Sequence, residues 1–189
     1  MWINKFLTAL SRLAFQISRF SYKKSHYSSL IFSPEYIVGK KYIEVSPSVY
    51  IGRWASIIVE KNDVTPELVI GKGVKIRRFS HIVCISKVVI GEDALIADKV
   101  FISDNIHTYK NTNSPIINQG LSHVGDVSIG EGACIGENVS IIGASVGKNS
   151  VVGANSVVVN DIPDYSVAVG SPAKVIKTYD KKSSKWVRV

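Results

Sequence analysis

The chain has 189 residues, of which 46% are hydrophobic and 20% are charged, and it contains 14 glycines and 6 prolines. These values are typical of one globular domain with short appendages, and they exclude a disordered, collagen-like or low-complexity chain. The formal net charge is +8, which favours anionic partners over cationic ones.

The first element in chain order is an amphipathic helix over residues 2–20. Lys5, Arg12 and Arg19 recur at seven-residue intervals, opposite an apolar side. That apolar side has i, i+3, i+4 spacing and consists of Ile3, Phe6, Leu7, Leu10, Leu13, Ala14, Ile17 and Phe20. Two roles are open for this basic segment, residues 1–32: it caps the fold that follows, or residues 1–24 lie on an anionic membrane surface.

The N-terminus is not expected to be a signal peptide or a membrane span. It lacks an uninterrupted apolar region with a small-residue cleavage site, and the chain has no run of about eighteen apolar residues. Cys84 and Cys134 lie fifty residues apart without zinc-type spacing, as expected of reduced thiols. These features predict a cytoplasmic protein, with peripheral membrane contact as an option.

An internal repeat of six residues occupies about 49–159. A period of six fits neither a helix nor a lone amphipathic strand, but it fits a short strand followed by a corner. Glycine often follows the recurring aliphatic residue, and a smaller residue usually lies two positions before it. The aliphatic positions in register from 70 to 158 are Ile70, Ile76, Ile82, Ile90, Ile96, Ile102, Ile129, Ile135, Ile141, Val146, Val152 and Val158.

The repeat predicts an all-β fold, a left-handed parallel β-helix. The aliphatic residue and the small residue two before it share one strand face, so both can point into a narrow prism. Three hexads close one triangular coil, and the phase breaks after groups of two or three hexads, where insertions at corners are expected. We predict about five coils within residues 33–159, an N-terminal amphipathic helix, and a C-terminal cap with a basic tail over 160–189.

The longest interruption of the repeat is the polar loop 103–125. It contains His107 close to Asp104 and Asn105. Long ordered loops are often functional, and histidine is the usual general base near neutral pH. The residues alone leave two interpretations open, a catalytic histidine and an incidental loop histidine.

Two stretches outside the plain repeat carry a family resemblance. Residues 102–109, closed by residues 115–120, are similar to the catalytic-loop pattern of sugar O-acetyltransferases. Residues 152–163 and 169–176 are close to a C-terminal family signature. Over about 49–178 the chain therefore resembles the hexapeptide-repeat acyltransferases, in the branch with galactoside, maltose, serine and polysaccharide acetyltransferases.

The resemblance implies an O-acetyltransferase acting on a sugar or a surface-polysaccharide precursor. His107 would be the general base, and Asn105 or Asp104 would orient its imidazole or hold the acceptor. Tyr109 would contact the acceptor. His81 would either line the acceptor groove or be an ordinary residue of the prism wall.

The resemblance also implies acetyl-CoA as acyl donor, no metal requirement, and a homotrimer with the donor in a groove between subunits. Gly136 and Ala154 would allow close approach of the pantetheine arm, and Lys174 and Lys177 would lie near the nucleotide phosphates. The chain departs from its relatives at Asn160, where a lysine is frequent. A second departure is Cys134, where an aromatic residue is common.

Three other functions deserve comparison. A trimeric β-helix zinc lyase needs three histidines, and His81, His107 and His123 suffice in number but lack a close pair on adjacent strands. A silent scaffold is disfavoured by the intact motif around His107. No nucleic-acid partner is expected, because the basic ends lack an aromatic-interleaved stripe or a known module.

Overall fold

The computed structural model describes residues 2–189, with side chains from residue 5 onward. One α-helix, α1 (Trp2–Ser18), and three short 3-10 turns, at Arg19–Ser21, Lys40–Tyr42 and Ile116–Asn118, accompany the strands within this range. The strands are β1 (Lys24–Ser25), β2 (Leu30–Ile31), β3 (Tyr36–Val38), β4 (Ile43–Val45), β5 (Tyr50–Ile51), β6 (Ser56–Val59), β7 (Glu67–Ile70), β8 (Lys75–Ile76), β9 (His81–Cys84), β10 (Lys87–Ile90), β11 (Leu95–Ile96), β12 (Phe101–Ser103), β13 (Asn105–His107), β14 (Leu121–His123), β15 (Val127–Ile129), β16 (Cys134–Ile135), β17 (Ser140–Ile142), β18 (Val151–Val152), β19 (Val157–Val158), β20 (Ser166–Val169), β21 (Lys174–Asp180) and β22 (Lys185–Arg188).

Three parallel sheets form the walls of a prism. Sheet A has the order β1-β4-β7-β10-β15, sheet B begins β2-β5-β8-β11-β16-β18-β20, and sheet C has the order β3-β6-β9-β12-β17-β19. The chain visits A, B and C in turn, so every third strand pairs in parallel with the one below it. This arrangement confirms the predicted parallel β-helix.

The repeated aliphatic residues stack in the centre of the prism. In sheet B, Ile76 pairs in register with Ile96 and Ile135, and each of these side chains is fully buried. Sheets A and C have equivalent columns built on Ile90 and Ile102. Full burial of each such side chain contributes roughly 1.5–3 kcal/mol. The six-residue pattern therefore identified the core correctly.

The corners explain the glycines and asparagines of the repeat. A Cβ on Gly91 would lie 2.6 Å from the backbone nitrogen of Glu131 in the next coil. Coils spaced by one strand separation leave no room for it. Asn138 and Asn155 hold φ of +58° and +59° at successive corners, a conformation that asparagine tolerates better than most residues.

The prism has one coil more than expected. Six strands of sheet C mark six coils, against the prediction of about five, and the first comprises β1 to β3. The β-helix therefore begins at Lys24 and not at residue 33. The strands of this first coil have only two or three residues, and their sequence lacks the aliphatic-glycine hexad, so the periodicity did not reveal them.

Both ends of the prism are covered. At the N-terminal end, Phe15 of α1 is 2% exposed and joins the core, with its ring 5.9 Å from that of Tyr22. Gln16 donates a hydrogen bond of 2.7 Å to the carbonyl of Tyr27 in the first coil. Helix α1 is therefore a cap, as one of the two alternatives predicted. Ile3 lies outside the described side chains.

The C-terminal end is closed by the antiparallel strands β21 and β22, which extend sheet B. The rings of Tyr179 and Trp186 pack edge to face at 5.5 Å across this hairpin. Ala173 joins the core just before it. Within residues 2–189 no helix has the length and apolarity needed to cross a bilayer.

Candidate active site

A cleft of about 540 Å³ opens on the outward face of sheet C. It brings together three side chains that the sequence placed in the site: His81, Asn105 and His107. The remaining lining comes mostly from apolar residues of sheet C and the hairpin, and the full set is Ile58, Glu60, His81, Val83, Phe101, Ser103, Asn105, Ile106, His107, Leu121 and Ile142.

The predicted loop is an ordered hairpin. Strands β13 and β14 pair antiparallel, with Asn105 opposite His123 and His107 opposite Leu121. The Thr108 N–H donates to the carbonyl of Gly120 at 3.0 Å. Because strand side chains alternate between two faces, Asn105 and His107 point to the same side of β13. The hairpin thus presents both residues to the cleft.

Asp104 lies behind the site and does not line the cleft. Its carboxylate is 0% exposed and accepts hydrogen bonds from the backbone N–H groups of Ile85, Ser86 and Lys87 at 2.7–3.1 Å. Burial raises the pKa of the Cys84 thiol beside it, and the Asp104 charge raises that pKa further. Asp104 therefore fastens the base of the hairpin to the coil below.

Asn105 is oriented by Asp104. Its side-chain amide donates a hydrogen bond of 2.7 Å to the Asp104 carboxylate. An ionised carboxylate can only accept, so the NH₂ group must face Asp104 and the amide oxygen is left for another donor. An imidazole N–H or an acceptor hydroxyl would satisfy that oxygen in the cleft.

His81 contributes a neutral imidazole. Its Nε2 is inaccessible to solvent and has no hydrogen-bond partner, and its ring packs edge-on against Phe101 at 5.7 Å. Burial lowers the pKa of His81, and the Glu35 carboxylate opposes that decrease. A buried ring nitrogen without a hydrogen-bond partner is rare in folded proteins.

The sequence did not predict Glu60 or the apolar lining. Outward positions of sheet C directly follow the inward isoleucines, and Ile58, Val83 and Ile142 stand in one register column on three coils. The position directly after each inward isoleucine was therefore the sequence signal that could have identified this apolar lining. Tyr109 is 66% exposed and lies outside the lining.

The residues expected to bind acetyl-CoA lie at a different edge of the prism. Gly136 and Ala154 occupy successive coils at the corner between sheets B and C, where a Cβ on Gly136 would lie 2.6 Å from the Ala154 nitrogen. Packing alone therefore requires glycine there. Lys174 and Lys177 lie on β21, close to the same end of the prism. His107 projects from the opposite end of sheet C's strands.

The third histidine of the zinc alternative is engaged elsewhere. His123 Nε2 lies 3.0 Å from the Asp126 carboxylate, and His123 does not line the cleft shared by His81 and His107. No cluster of three or more His, Cys, Asp and Glu side chains suited to a metal ion occurs among the side chains described from residue 5 to 189.

Comparisons with known proteins bear on the fold and the sequence of the whole chain. No family model matches the chain. The putative lipopolysaccharide biosynthesis O-acetyl transferase WbbJ of Escherichia coli is 41% identical over 120 residues, which cover 60% of this chain and 61% of WbbJ. A maltose O-acetyltransferase from Clostridium difficile superposes with a TM-score of 0.61 and 27% identity, covering 75% of this chain and 72% of its own. The chain is therefore similar in sequence and fold to acetyltransferases of the hexapeptide-repeat type.

A further solved structure supports the fold. A mutant of the N-acyltransferase AntD from Bacillus cereus, in complex with dTDP-4-amino-4,6-dideoxyglucose and coenzyme A, has a TM-score of 0.74 and 18% identity, covering 90% of this chain and 91% of AntD. At that identity the likeness shows the fold, a left-handed β-helix. The chain spans 61% of the length of WbbJ, so substrates and partners are a matter of proposal.

Proposed function

We propose that the protein is an O-acetyltransferase that moves an acetyl group from acetyl-CoA to a hydroxyl of a sugar or surface-polysaccharide precursor. The observation that carries this proposal is the cleft in which an ordered hairpin holds His107 and Asn105 beside the neutral His81. The name of WbbJ and the sugar nucleotide bound to AntD support a saccharide acceptor.

In the proposed reaction His107 is the general base. Its imidazole removes the proton of the acceptor hydroxyl while that oxygen attacks the thioester carbonyl, and it then returns the proton to the departing thiolate of CoA. The Asn105 amide oxygen holds the imidazole or the hydroxyl, and Asp104 fixes Asn105. A backbone N–H would stabilise the oxyanion of the tetrahedral intermediate. His81 would contact the acceptor in the cleft, and Tyr109, which lies outside the cleft lining, would contact a part of the acceptor that extends beyond it.

Acetyl-CoA would lie along the corner between sheets B and C. The small residues Gly136 and Ala154 leave that surface open to a pantetheine chain, and Lys174 and Lys177 offer positive charge for the phosphates. This corner and His107 lie at opposite ends of the same strands. A homotrimer would bring the donor on one subunit to His107 of its neighbour.

The same proposal includes a location. Acetyl-CoA is supplied in the cytoplasm, and a lipid-linked saccharide precursor would be met at the inner face of the membrane. Residues 1–24 hold five basic residues and no acidic one, so we propose peripheral contact with anionic lipid through this segment.

The test is CoA release from acetyl-CoA with a panel of sugars and nucleotide sugars. We expect His107→Ala to lower kcat about 10²–10⁴-fold, because general-base catalysis commonly supplies that factor. His123→Ala is the matched control, since His123 lies on the same hairpin outside the cleft, and it should retain activity. Undiminished activity of His107→Ala would remove His107 as the base. A protein that binds no acetyl-CoA would refute acetyl transfer, and equal losses in both variants would favour a three-histidine site.

A further inference from the structure

Helix α1 has an apolar face that the prism does not cover. The residues that pack on the first coil are on its other side, where Ser11 and Phe15 are buried. We call the uncovered face the exposed stripe. Its side chains are 46–79% exposed, and its members are Phe6, Leu10, Leu13, Ile17 and Phe20.

The exposed stripe is continuous along α1 and the 3-10 turn Arg19–Ser21 that follows it. Its members are spaced by four, three, four and three residues, which places them on one side of successive turns. A helix that served only as a cap would turn its largest apolar side chains toward the core. Here the buried face includes Ser11, whose hydroxyl lies 3.3 Å from that of Ser33. A contiguous exposed apolar face of this kind marks a binding surface.

Charge beside the exposed stripe selects the partner. Lys5 and Arg12 are exposed on the flank of the stripe, and Arg19 lies over the Phe20 ring at 4.3 Å. Residues 1–24 contain no acidic residue to balance them. Two copies of this face packed together would oppose like charges. The exposed stripe and its basic flank therefore fit a partner surface with an apolar interior and an anionic boundary.

We propose that the exposed stripe inserts into the interface of an anionic lipid bilayer, with α1 in the membrane plane. Phe15 and Ser11 remain packed on the first coil, so the helix connects the prism to the lipid. Lys5 and Arg12 extend to the headgroups, as basic residues of interfacial helices do. The inference deepens the membrane contact of the proposed function and rests on it.

The proposed trimer would strengthen this attachment. Three parallel subunits present their α1 helices at the same end, so three exposed stripes meet one surface. The second and third helices then bind at a high effective concentration. A single interfacial helix with modest affinity suffices under these conditions.

The experiment is co-sedimentation of the full chain with vesicles of phosphatidylcholine alone or with phosphatidylglycerol. The wild type should bind the anionic vesicles and bind phosphatidylcholine at least about fivefold more weakly. The double variant Leu13→Gln/Ile17→Gln should lower the partition coefficient at least about tenfold, because two large apolar side chains no longer enter the lipid. Lys5→Gln/Arg12→Gln should weaken only the binding to anionic vesicles.

Matched controls change equivalent residues elsewhere. Val187→Gln/Val189→Gln alters two exposed apolar residues of the C-terminal strand region, and Lys61→Gln/Lys182→Gln removes two exposed charges. Both should bind like the wild type. All variants should keep the wild-type melting temperature, because the altered side chains are exposed. Absence of wild-type binding, or binding that is unaffected by Leu13→Gln/Ile17→Gln, would overturn the proposal.

Two further measurements distinguish lipid insertion from self-association and from the enzymatic proposal. In one outcome, the wild type associates into species larger than a trimer as its concentration rises, and Leu13→Gln/Ile17→Gln abolishes this association. That result would assign the exposed stripe to a second copy and overturn lipid insertion. Acetyl transfer to a soluble sugar is measured on the same preparations. Transfer without vesicle binding would overturn the membrane proposal alone, and vesicle binding without acetyl-CoA binding would overturn the enzymatic proposal alone.

Discussion

The chemistry of the cleft depends on a carboxylate that no substrate would touch. Asp104 accepts three backbone N–H groups and the amide of Asn105, and so determines how Asn105 is presented. The sequence motif predicted that Asp104, Asn105 and His107 act together. It could not assign the buried role to Asp104, because the donors at Ile85 to Lys87 come from the coil below and are fixed only by the fold.

At the residue scale, Asp104→Asn should reduce both stability and turnover. The carboxylate has two accepting oxygens, whereas an asparagine side chain has one accepting oxygen and one donating NH₂ group. The variant can therefore offer only one oxygen to the backbone N–H groups, and it no longer holds the Asn105 amide in one orientation. We expect a loss of about 2–4 kcal/mol in the free energy of unfolding and a fall in kcat with little change in KM. Urea unfolding and acetyl-transfer kinetics measure these effects.

The control for this prediction is Asp63→Asn, which makes the same change at an exposed position. It should leave stability and kcat unchanged. A stable, fully active Asp104→Asn variant would show that Asn105 is positioned by other contacts.

At the element scale, the six-residue period was strong enough to define the walls, and the i, i+3, i+4 spacing of apolar residues opposite basic ones was enough to predict α1. The side of α1 that packs on the prism was not predictable. An amphipathic pattern shows which side of a helix carries the apolar side chains. It does not show which side becomes buried, because that depends on the surface that the first coil offers. The periodicity did not reveal that coil, because its sequence lacks the aliphatic-glycine hexad.

Two phenylalanines on α1 test the distinction between its packed side and its exposed side. Phe15→Ala should lower the free energy of unfolding by about 3–4 kcal/mol, since it leaves a cavity between the helix and the first coil. Phe6→Ala, on the exposed stripe at 64% exposure, should change it by less than about 0.5 kcal/mol. Chemical denaturation of the two variants measures the difference. Equal destabilisation by the two would mean that the exposed stripe is packed in the free protein.

At the scale of the whole molecule, the repeat predicted the fold because a solenoid is built from contacts between neighbouring coils. Its sequence therefore describes nearly all of its core. Contacts between subunits have no such periodic signal. Here the hairpin that carries His107 leaves sheet C after Ser103, whereas Gly136 and Ala154 lie at the corner before this sheet, and this arrangement motivates the proposed trimer.

Mixed oligomers test the shared site. We expect His107→Ala and Lys174→Glu/Lys177→Glu each to be inactive alone. When the two chains are co-expressed in equal amounts, about one quarter of the sites should regain activity, because each site draws one intact residue from each of two adjacent subunits. Activity per site in purified mixtures gives the answer. No recovery would place donor and base on the same chain.

The position of the hairpin along the prism has a consequence for the acceptor. The hairpin leaves the fourth coil, β10 to β12, three coil steps or about 14 Å from the first. Helix α1 adds about 10 Å below that coil. With the exposed stripe in lipid, α1 itself lies at the level of the headgroups, so the coil that carries the hairpin would stand about 14 Å above the first coil and its helix. A lipid-linked acceptor would have to span that distance to reach His107, which would favour a chain of several sugars over a single sugar.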